Sequence, residues 1–501
     1  MYTLGYDVGS SSVKATLLNL ETGKVAASSF SPKNEMPITA LRIGWAEQDP
    51  KMWWENLKLA TSEILSTSRI QKEKIIAIGI SYQMHGLVIV DKNKQVIRPS
   101  IIWCDSRAVE IGKKAFKKIG TKKCLSSLMN SPGNFTASKL RWVKENEPKL
   151  YDRIDKFMLP GDYIALQLTG EAVTTLSGLS EGILWDFKSN KIASFLLREY
   201  GIASDLIPHV VPTFGEQGRL NRTASQELGL PAGIPVTYRA GDQPNNALSL
   251  NVMEPGEIAA TAGTSGVVYG VSGTRKYDPA SRVNSFAHVN HSSDEQHIGV
   301  LLCINGTGIA NSWIRRMTGQ QAVEYSRLNE LASTAPVGSG GVLVLPFGNG
   351  AERMLENRDI GARIFNLHFN IHSQAHLIRA VQEGIAFSFK YGIDIMNEMK
   401  IRPTVIRAGL ANLFLSPIFA DTLAQTAGVS IELYSTDGAQ GAARGAALGI
   451  KHFTSRQEAF KGLERLKIIE PQKSRSAEYQ EYYQHWSSAL HQTLQSKGKH
   501  S

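Results

Sequence analysis

The sequence is poor in cysteine and has no long uninterrupted hydrophobic run. Its three cysteines, Cys104, Cys124 and Cys303, lie far apart, which excludes a disulfide framework and favours a reducing compartment. The longest uncharged stretches, 258–274 and 298–313, are broken by small polar residues and predict no membrane-spanning helix. The N-terminus lacks the basic and apolar segments of a signal peptide. We therefore expect a cytoplasmic protein with no membrane partner.

Several common catalytic signatures are also missing. The sequence contains no G-x-x-x-x-G-K-[ST] phosphate loop, no G-x-G-x-x-G after a predicted strand, and no G-x-S-x-G at a predicted strand-to-helix turn. Its 12 histidines show no metal-ligand spacing. These absences argue against a P-loop nucleotidase, a dinucleotide-dependent oxidoreductase, a serine hydrolase and a zinc enzyme.

The chain has 501 residues, which is more than a single hydrophobic core usually supports. We predict two domains, 1–248 and 249–470, with a cleft between them, followed by a polar helical tail at 471–501. The hydrophobic share of 42% and the charged share of 20% are ordinary for a globular protein. The composition therefore predicts a folded two-domain protein.

The net charge of +10 raises the alternative of a nucleic-acid partner. The densest basic run, 113–123, has helical spacing, and this pattern indicates a solvated helix face. A protein that bound nucleic acid through such a surface would show a steep salt dependence of its affinity. We expect no nucleic-acid partner.

A strand, a turn rich in glycine and hydroxyl groups, and a second strand occur twice along the chain. The first turn is at 9–12 and the second at 263–265, each between two apolar segments. Continuous apolar runs such as 75–81 are typical of a mixed sheet that is covered on both faces. The sequence therefore predicts an α/β protein in which one domain plan is duplicated.

The two turns carry groups that suit a phosphate. Asp7 ends the first predicted strand and is followed by Gly9, the serines at 10–12 and Lys14, while the second turn offers similar donors at 263–266. Backbone N–H groups and hydroxyls can surround phosphate oxygens, and a carboxylate at a strand end can hold hydrated Mg²⁺. An ordinary hairpin is the alternative for either turn. Two matching turns on opposite walls of a cleft would together hold one polyphosphate.

Asp242 follows a buried strand predicted within 231–241 and precedes a predicted helix. Its side chain would lie at the carboxyl end of a strand, where the active sites of α/β proteins are found. A carboxylate at this position could accept the proton of a sugar hydroxyl. The alternative is an aspartate that only caps the following helix.

Two further segments end predicted strands with polar side chains. The segment 81–86 places His85 next to glycine, where the ring could bind a polyol oxygen, and Met84 would supply an apolar wall. The segment 103–107 could add polar contacts from Trp103 and Asp105. A structural histidine and a helix-start aspartate are the alternatives for these two segments.

Taken in order, the segments DVGSSSVKATL, QMHG, WCDSR, PGDYIALQLTGE, AGDQPNNAL and TAGTSG resemble the FGGY family of carbohydrate kinases. They span 7–266, and the second half is similar in outline through GGVLVLPFGNGAER and a Gly-Ala-rich helix near residue 440. The QMHG segment is most similar to family members that act on xylulose. The resemblance implies an α/β fold of two ribonuclease H-like (actin-type ATPase) domains around a central cleft, with ATP, Mg²⁺ and a sugar as ligands. Such kinases are commonly homodimers, although no residue here identifies an interface.

The resemblance also implies roles for individual residues. Asp242 matches the catalytic base that takes the proton of the sugar hydroxyl during ATP-dependent phosphorylation of D-xylulose to D-xylulose 5-phosphate. Asp7 would hold Mg²⁺ through water. The expected sugar-binding residues are Gln83, Met84, His85, Trp103, Asp105 and Asn245. The expected nucleotide-binding residues are Asp7, Gly9, Ser10, Ser11, Ser12, Lys14, Gly263, Thr264, Gly308, Gly409 and Asn412.

Three segments depart from the pattern of the xylulose-specific members. Residues 407–409 read Arg-Ala-Gly where a glycine triplet is usual, 350–354 read Gly-Ala-Glu-Arg-Met in place of Gly-Glu-Arg-Thr-Pro, and 243–246 read Gln-Pro-Asn-Asn. The first two concern the nucleotide and the third concerns the choice of sugar. The alternatives are therefore a kinase for another ketose or polyol, such as ribulose, fuculose or glycerol, and a non-catalytic actin-fold protein that responds to sugar or ATP.

Overall fold

A computed structural model describes residues 1–497 of the chain. Two sheets form its framework. In spatial order the first sheet consists of Val236–Gly241, Ile75–Tyr82, Tyr2–Val8, Val13–Asn19 and Val25–Ser31. The second sheet consists of Asn284–Ala287, Ile298–Ile304, Gly266–Ser272, Glu257–Ala262, Val405–Gly409, Ile431–Tyr434 and Arg465–Ile469.

The two sheets repeat one plan, as the duplicated sequence pattern predicted. In the first sheet, Tyr2–Val8 pairs antiparallel with Val13–Asn19 and parallel with Ile75–Tyr82. In the second sheet, Glu257–Ala262 pairs antiparallel with Gly266–Ser272 and parallel with Val405–Gly409. Each glycine- and hydroxyl-rich turn therefore joins the central strand of its sheet to an antiparallel neighbour.

Helices and short strand pairs cover the sheets. The α-helices are Pro50–Ser68, Val109–Ile119, Thr121–Leu128, Thr136–Asn146, Pro148–Tyr151, Pro160–Thr169, Leu176–Glu181, Ser194–Tyr200, Arg222–Leu228, Asp242–Ser249, Gly308–Met317, Tyr325–Ser333, Gln374–Glu398, Pro417–Ala427, Gly438–Gly449, Arg456–Ala459 and Lys473–Lys497. The strand pairs are Glu47–Gln48 with Ser100–Ile101, Val88–Val90 with Lys156–Met158, Val173–Thr175 with His209–Val211, Trp185–Asp186 with Lys191–Ile192, and Leu343–Leu345 with Arg363–Phe365. Within residues 1–497 no helix is long and apolar enough to cross a membrane.

The helix Gly438–Gly449, which we call the bridging helix, comes from the second half of the chain but packs on the first sheet. Its sequence GAQGAARGAALG allows very close contact, because a Cβ atom added to Gly79 of that sheet would lie 2.0 Å from the carbonyl oxygen of Ala442. The sequence indicated a Gly-Ala-rich helix near residue 440, but not the sheet on which it packs. The domain boundary near residue 248 stays a prediction. The bridging helix lies after this boundary in the sequence but packs on strands that lie before it.

The C-terminal helix Lys473–Lys497 corrects the prediction of a polar tail. Trp486 and Leu490 on this helix are completely buried, and the Trp486 indole donates to the carbonyl oxygen of Val344 at 2.7 Å. These side chains belong to the hydrophobic core beneath the second sheet. Most of the polar residues of the segment lie on the exposed face of the helix, and Thr493 is buried with the apolar residues. Residues 498–501 of the predicted tail lie outside the described residues.

The contact between the bridging helix and the first sheet gives a direct test. We expect Gly79→Ala to lower the free energy of unfolding by about 1–3 kcal/mol, because the added methyl group meets backbone atoms that cannot rotate away. Gly409→Ala is the matched control, because Gly409 is also a strand residue and no other atom of residues 1–497 stands within 4 Å of its added Cβ. We expect this control to change the free energy of unfolding by no more than about 0.5 kcal/mol. Urea unfolding measures both values, and equal stabilities would contradict the close contact.

Candidate functional site

Asp242 lies where three parallel strands of the first sheet end. In the register of these strands Asp7 stands beside Ser81 and Gly241 stands beside Tyr82. Asp242 is the first residue of the helix Asp242–Ser249, and the N-cap position belongs to Gly241. The simple N-cap alternative for Asp242 is therefore wrong.

The environment of Asp242 favours its protonated form. Burial of the side chain, followed by the negative charge of Asp7, raises the pKa of the Asp242 carboxyl to about 7. A carboxyl group with such a pKa can both accept and release a proton near neutral pH, as a general base must. The geometry thus brings a titratable carboxylate to the mouth of the first sheet.

Asp7 offers a second carboxylate at the same edge. Its Oδ1 atom accepts a hydrogen bond of 2.8 Å from the Ser81 hydroxyl. Burial raises the pKa of Asp7, and Asp437 nearby also raises it, while the Ser81 hydrogen bond and the charge of Lys14 act in the opposite direction. A bound cation would relieve this crowding of negative charge.

The donor set at Asp7 fits Mg²⁺ rather than a metal caged by protein ligands. Among residues 1–497, no group of three or more His, Cys, Asp or Glu side chains could hold a metal ion. Mg²⁺ is usually bound by one or two carboxylates together with water and substrate phosphates. Asp7 alone, oriented by Ser81, meets that requirement.

The first turn is held open by contacts to its backbone. Gly9 N donates to the carbonyl oxygen of Ser12 at 3.0 Å, and Gln48 Nε2 donates to that of Ser10 at 2.7 Å. Ser11 and Lys14 are exposed. Trp103, 53% exposed, approaches the Ser10 hydroxyl through its indole N–H at 3.4 Å. The predicted phosphate turn is thus a constrained loop at the end of the strand that carries Asp7.

The second turn borders a cavity of about 720 Å³ in the second half of the chain. Gly263, Thr264, Gly308 and Asn412 all line this cavity. Gly308 N donates to the carbonyl oxygen of Gly263 at 2.9 Å, which brings the start of the helix Gly308–Met317 against the turn. Four of the predicted nucleotide-binding residues therefore meet at one cavity.

Gly409 ends the strand Val405–Gly409 just before Asn412, and no atom stands within 4 Å of a Cβ added to it. Arg407, which replaces a glycine of the usual triplet, turns its guanidinium to Glu257 at 2.9 Å and Glu432 at 2.8 Å. The Arg407 side chain therefore pairs with glutamates of the two neighbouring strands of the second sheet. The space beside the Cα atom of Gly409 stays open.

His85 and Met84 form a partly apolar wall near Asp242. The His85 ring lies 4.8 Å from the Phe135 ring and 5.2 Å from the ring of Phe286, which belongs to the second sheet. Burial, followed by the charge of Lys139, lowers the pKa of His85 to about 3. The imidazole is therefore neutral at physiological pH and acts as a hydrogen-bonding group. Met84 is buried and packs against Gly241.

Two of the expected sugar-binding residues use their amide nitrogens for contacts within the protein, while their amide oxygens are buried and have no partner among residues 1–497. The Gln83 amide nitrogen donates to Gln48 Oε1 at 3.4 Å, and Gln48 in turn holds the first turn. Asn245 is completely buried and donates to the carbonyl oxygen of Gly438 at 2.8 Å. Gln83 therefore supports the first turn from inside the domain, and Asn245 fastens its helix to the bridging helix.

Asp105 differs from these two residues, because its contacts within the protein do contradict the expected role at the sugar. Its carboxylate is 0% exposed and accepts hydrogen bonds from the backbone N–H of Ala46 at 2.6 Å and from the Arg107 guanidinium at 2.6 to 3.0 Å. With both oxygens occupied, it has no acceptor left for a sugar hydroxyl. The Trp-Cys-Asp-Ser-Arg segment thus contributes Trp103 to the cleft and uses Asp105 for an internal ion pair.

Two titratable residues were missed, Glu181 beside Gly241 and Arg353, whose charge acts on His85. Glu181 is buried, and its Oε2 atom would lie 2.3 Å from a Cβ added to Gly241. The backbone oxygen of Glu181 accepts a hydrogen bond from His85 Nδ1 at 3.0 Å. Burial, followed by the charge of Asp242, raises the pKa of Glu181 well above its usual range. No sequence pattern marks Glu181, because its segment reads as an ordinary small-residue helix.

Arg353 is the second missed residue. Its Nε and Nη2 atoms donate to Ser281, to the backbone oxygen at 3.0 Å and to the hydroxyl at 3.1 Å. Its positive charge contributes to lowering the pKa of His85 across the cleft. In the sequence, the only indication of a role for Arg353 was its position in the segment 350–354, which departs from the pattern of the xylulose-specific members.

Comparisons with known proteins decide the family. Profiles of the N-terminal and C-terminal domains of the FGGY family of carbohydrate kinases match residues 2–249 and 258–449. A xylulose kinase from Klebsiella pneumoniae is 30% identical over 448 residues, which cover 89% of this chain and 88% of that protein. The chain belongs to the FGGY family of carbohydrate kinases.

Two further FGGY relatives bear on fold and substrate. An L-xylulose/3-keto-L-gulonate kinase from Escherichia coli (strain K12) is 28% identical and covers 98% of this chain and 96% of its own length. A crystal structure titled "xyloylose kinase", from Brucella ovis, superposes with a TM-score of 0.89 at 26% identity and covers 98% of this chain and 99% of its own. The predicted two-domain α/β fold is confirmed, and this FGGY protein is a sugar kinase whose substrates are ATP and a sugar.

Proposed function

We propose that this FGGY kinase transfers the terminal phosphate of ATP to the 5-hydroxyl of D-xylulose and yields D-xylulose 5-phosphate, with Asp242 as general base. The observation that carries the proposal is the position of Asp242 at the carboxyl edge of the first sheet, where Asp7 ends a strand of the same sheet and helps to raise the pKa of Asp242 to about 7. The xylulose kinase from Klebsiella pneumoniae, similar over nearly the whole length, supports the choice of sugar.

Phosphoryl transfer requires alignment and charge neutralisation more than covalent chemistry, because its transition state is loose. The two turns would hold the phosphates of ATP from opposite walls, with Gly263 and Thr264 on the cavity side. Asp7 would hold Mg²⁺ through water, and the ion would supply neutralisation of phosphate charge. Asp242 would receive the proton of the attacking hydroxyl as the oxygen approaches the terminal phosphorus.

His85 and Met84 would contact the sugar. The neutral His85 ring is fixed by its hydrogen bond to the Glu181 backbone oxygen and by the two phenylalanine rings, so its remaining nitrogen is available to one polyol oxygen. Lys139 Nζ donates to the backbone oxygens of His85 and Ile102 at 2.8 and 2.9 Å. These contacts hold the turn at His85, whose φ is 62°.

Another ketose is the second candidate substrate, and one observation favours it. The similarity to the L-xylulose/3-keto-L-gulonate kinase extends over 98% of this chain. Ribulose, fuculose and glycerol remain alternatives within the same chemistry, and a non-catalytic protein that responds to sugar or ATP is the alternative outside it. The cytoplasmic location and the homodimer stay predictions from the sequence.

A panel of acceptors separates these possibilities. We expect the purified protein to release ADP from Mg²⁺-ATP fastest with D-xylulose, compared with L-xylulose, 3-keto-L-gulonate, D-ribulose, L-fuculose and glycerol. The kcat/KM for each acceptor, measured by coupled ADP release, gives the ranking. A higher value for another acceptor would replace the substrate, whereas no acceptor-dependent ADP release would favour the non-catalytic alternative.

Asp242→Asn tests the base. The amide keeps the size of the side chain but cannot accept the hydroxyl proton, so we expect kcat to fall by about 10²–10⁴-fold, with the Kd for ADP nearly unchanged. Asp49→Asn is the control: Asp49 caps the helix Pro50–Ser68 through Lys51 N at 3.0 Å, and asparagine caps equally well. Turnover of Asp242→Asn close to that of the control would remove Asp242 from its role.

The pKa of Asp242 predicts the pH dependence. Only the carboxylate form can accept a proton, and the pKa is raised to about 7, so protonation removes activity on the acidic side. We expect kcat/KM to fall about tenfold for each pH unit below that value. A carboxyl group with a pKa near 4 would instead keep the rate level down to about pH 5. A level rate between pH 5 and 7 would therefore contradict the perturbed base.

A further inference from the structure

A chain of buried hydrogen bonds reaches the wall of the 720 Å³ cavity. The Ser416 hydroxyl donates to Gln382 Oε1 at 2.8 Å, and Gln382 Nε2 donates to Asn329 Oδ1 at 2.9 Å and to Asn311 Oδ1 at 3.3 Å. Gln382 is completely buried, whereas Asn311 and Asn329 line the cavity. Three helices and one helix cap thus meet behind the cavity.

The helix cap sets the direction of this chain of hydrogen bonds. Ser416 is the N-cap of the helix Pro417–Ala427, where its oxygen accepts the N–H of Phe419 at 3.3 Å. The hydroxyl proton is therefore free to be donated, and in a buried position it must be used. It goes to Gln382 Oε1, which leaves the two N–H bonds of the Gln382 amide for the two asparagine oxygens. The reverse orientation would leave the hydroxyl proton without an acceptor.

The same direction fixes what the asparagines present to a ligand. Because their Oδ1 atoms face Gln382, their Nδ2 groups point away from it. Within residues 1–497 neither Nδ2 atom has a protein partner, and neither is among the buried polar atoms that lack one. The cavity wall therefore carries two amide N–H donors.

Among residues 1–497, the rest of the cavity wall has no charged side chain. Its other lining residues are Ala262, Gly263, Thr264, Gly308, Ile309, Ser312, Tyr325, Ser326, Asn412, Leu413, Leu415 and Ser416. An uncharged, partly apolar cavity of this volume suits a nucleobase and its ribose. Gln382 orients the two asparagine amides, so a bound base would meet two N–H donors in fixed positions.

We propose that Asn311 and Asn329, held in one orientation by Gln382 and Ser416, determine nucleotide specificity by selecting a purine for its acceptor atoms rather than for its 6-amino group. This inference rests on the proposed assignment of the cavity to the nucleotide. Adenine offers acceptors at its ring nitrogens, and hypoxanthine offers N7 together with the oxygen at C6. Both bases therefore satisfy the two donors, and the two asparagines gain nothing from the 6-amino group.

The wild-type protein gives the first test through binding alone. We expect calorimetry to give Kd values for ADP and IDP that agree within about threefold, without sugar or turnover. A wall that read the 6-amino group by hydrogen bonding would reject the analogue by several powers of ten. A preference for ADP of more than a hundredfold would overturn the proposal.

Gln382→Glu gives a sharper test because it reverses the polarity of the wall. A carboxylate at this position still accepts from Ser416, and it also accepts from both asparagine amides, which would turn their oxygens toward the cavity. The wall would then favour a donor such as the 6-amino group. We expect the Kd ratio of IDP to ADP to rise about tenfold, which is the usual effect of exchanging a neutral hydrogen-bond partner.

Two further variants keep the test decisive if Gln382→Glu folds poorly. Asn329→Asp replaces one donor at the cavity directly and should raise the same ratio. Gln425→Leu is the control, because Gln425 is also a buried glutamine but bonds to Asp421 and Gln472 away from the cavity, and its ratio should equal that of the wild type. Unchanged ratios in both test variants, with normal thermal unfolding midpoints, would overturn the inference.

The outcomes also separate this inference from the proposed function. If the wild type binds both nucleotides equally but releases no ADP with any sugar, the proposed function fails while the donor wall is supported. If turnover with D-xylulose is high but the variants leave the ratio unchanged, the kinase assignment stands and the donor wall is wrong.

Discussion

The arrangement of the site depends on the close contact between the bridging helix and the first sheet. Cβ atoms added to Gly5 and Gly79 would fall 2.1 and 2.0 Å from backbone oxygens of Ala439 and Ala442, so only glycine allows the helix to lie this near. The contact carries Gly438 to within van der Waals distance of the Asp7 carboxylate. A helix from the second half of the chain is thereby fixed against the strand ends that hold the two site carboxylates.

Electrostatics at this edge follows from the packing. Asp7 and Asp242 interact electrostatically, Asp437 adds a further negative charge at Asp7, and the carboxyl group of Glu181 lies behind Gly241. Concentrated negative charge in a poorly hydrated region raises carboxyl pKa values. The burial and the neighbouring carboxylates that make Asp242 a suitable base also leave an excess of negative charge at this edge. Mg²⁺ would neutralise part of that charge when the phosphates of ATP bind.

Polar residues beside the site divide into those that face the cleft and those that support it. Asp105, Asn245 and Gln83 were all expected at the sugar because they lie within motifs typical of the family. Arg107 holds the Asp105 carboxylate, while Gly438 and Gln48 accept the amide N–H groups of Asn245 and Gln83. Such buried hydrogen bonds hold neighbouring segments in one geometry, so these residues support the site from behind. The amide chain from Ser416 to Asn311 supports the nucleotide cavity in a comparable way.

The sequence alone predicts the α/β class, the duplicated strand-turn-strand plan, the positions of both turns and the family. These features depend on residue type and local spacing, as the prolines, glycines and apolar runs around Asp242 and Ser416 illustrate. The tertiary structure was needed to show that the bridging helix packs on the first sheet, that the C-terminal helix buries Trp486, and that Glu181 lies behind Gly241. The physical reason is that these contacts join residues tens to hundreds of positions apart. The direction in which a side chain such as Asp105 points depends on the partners that folding brings to it.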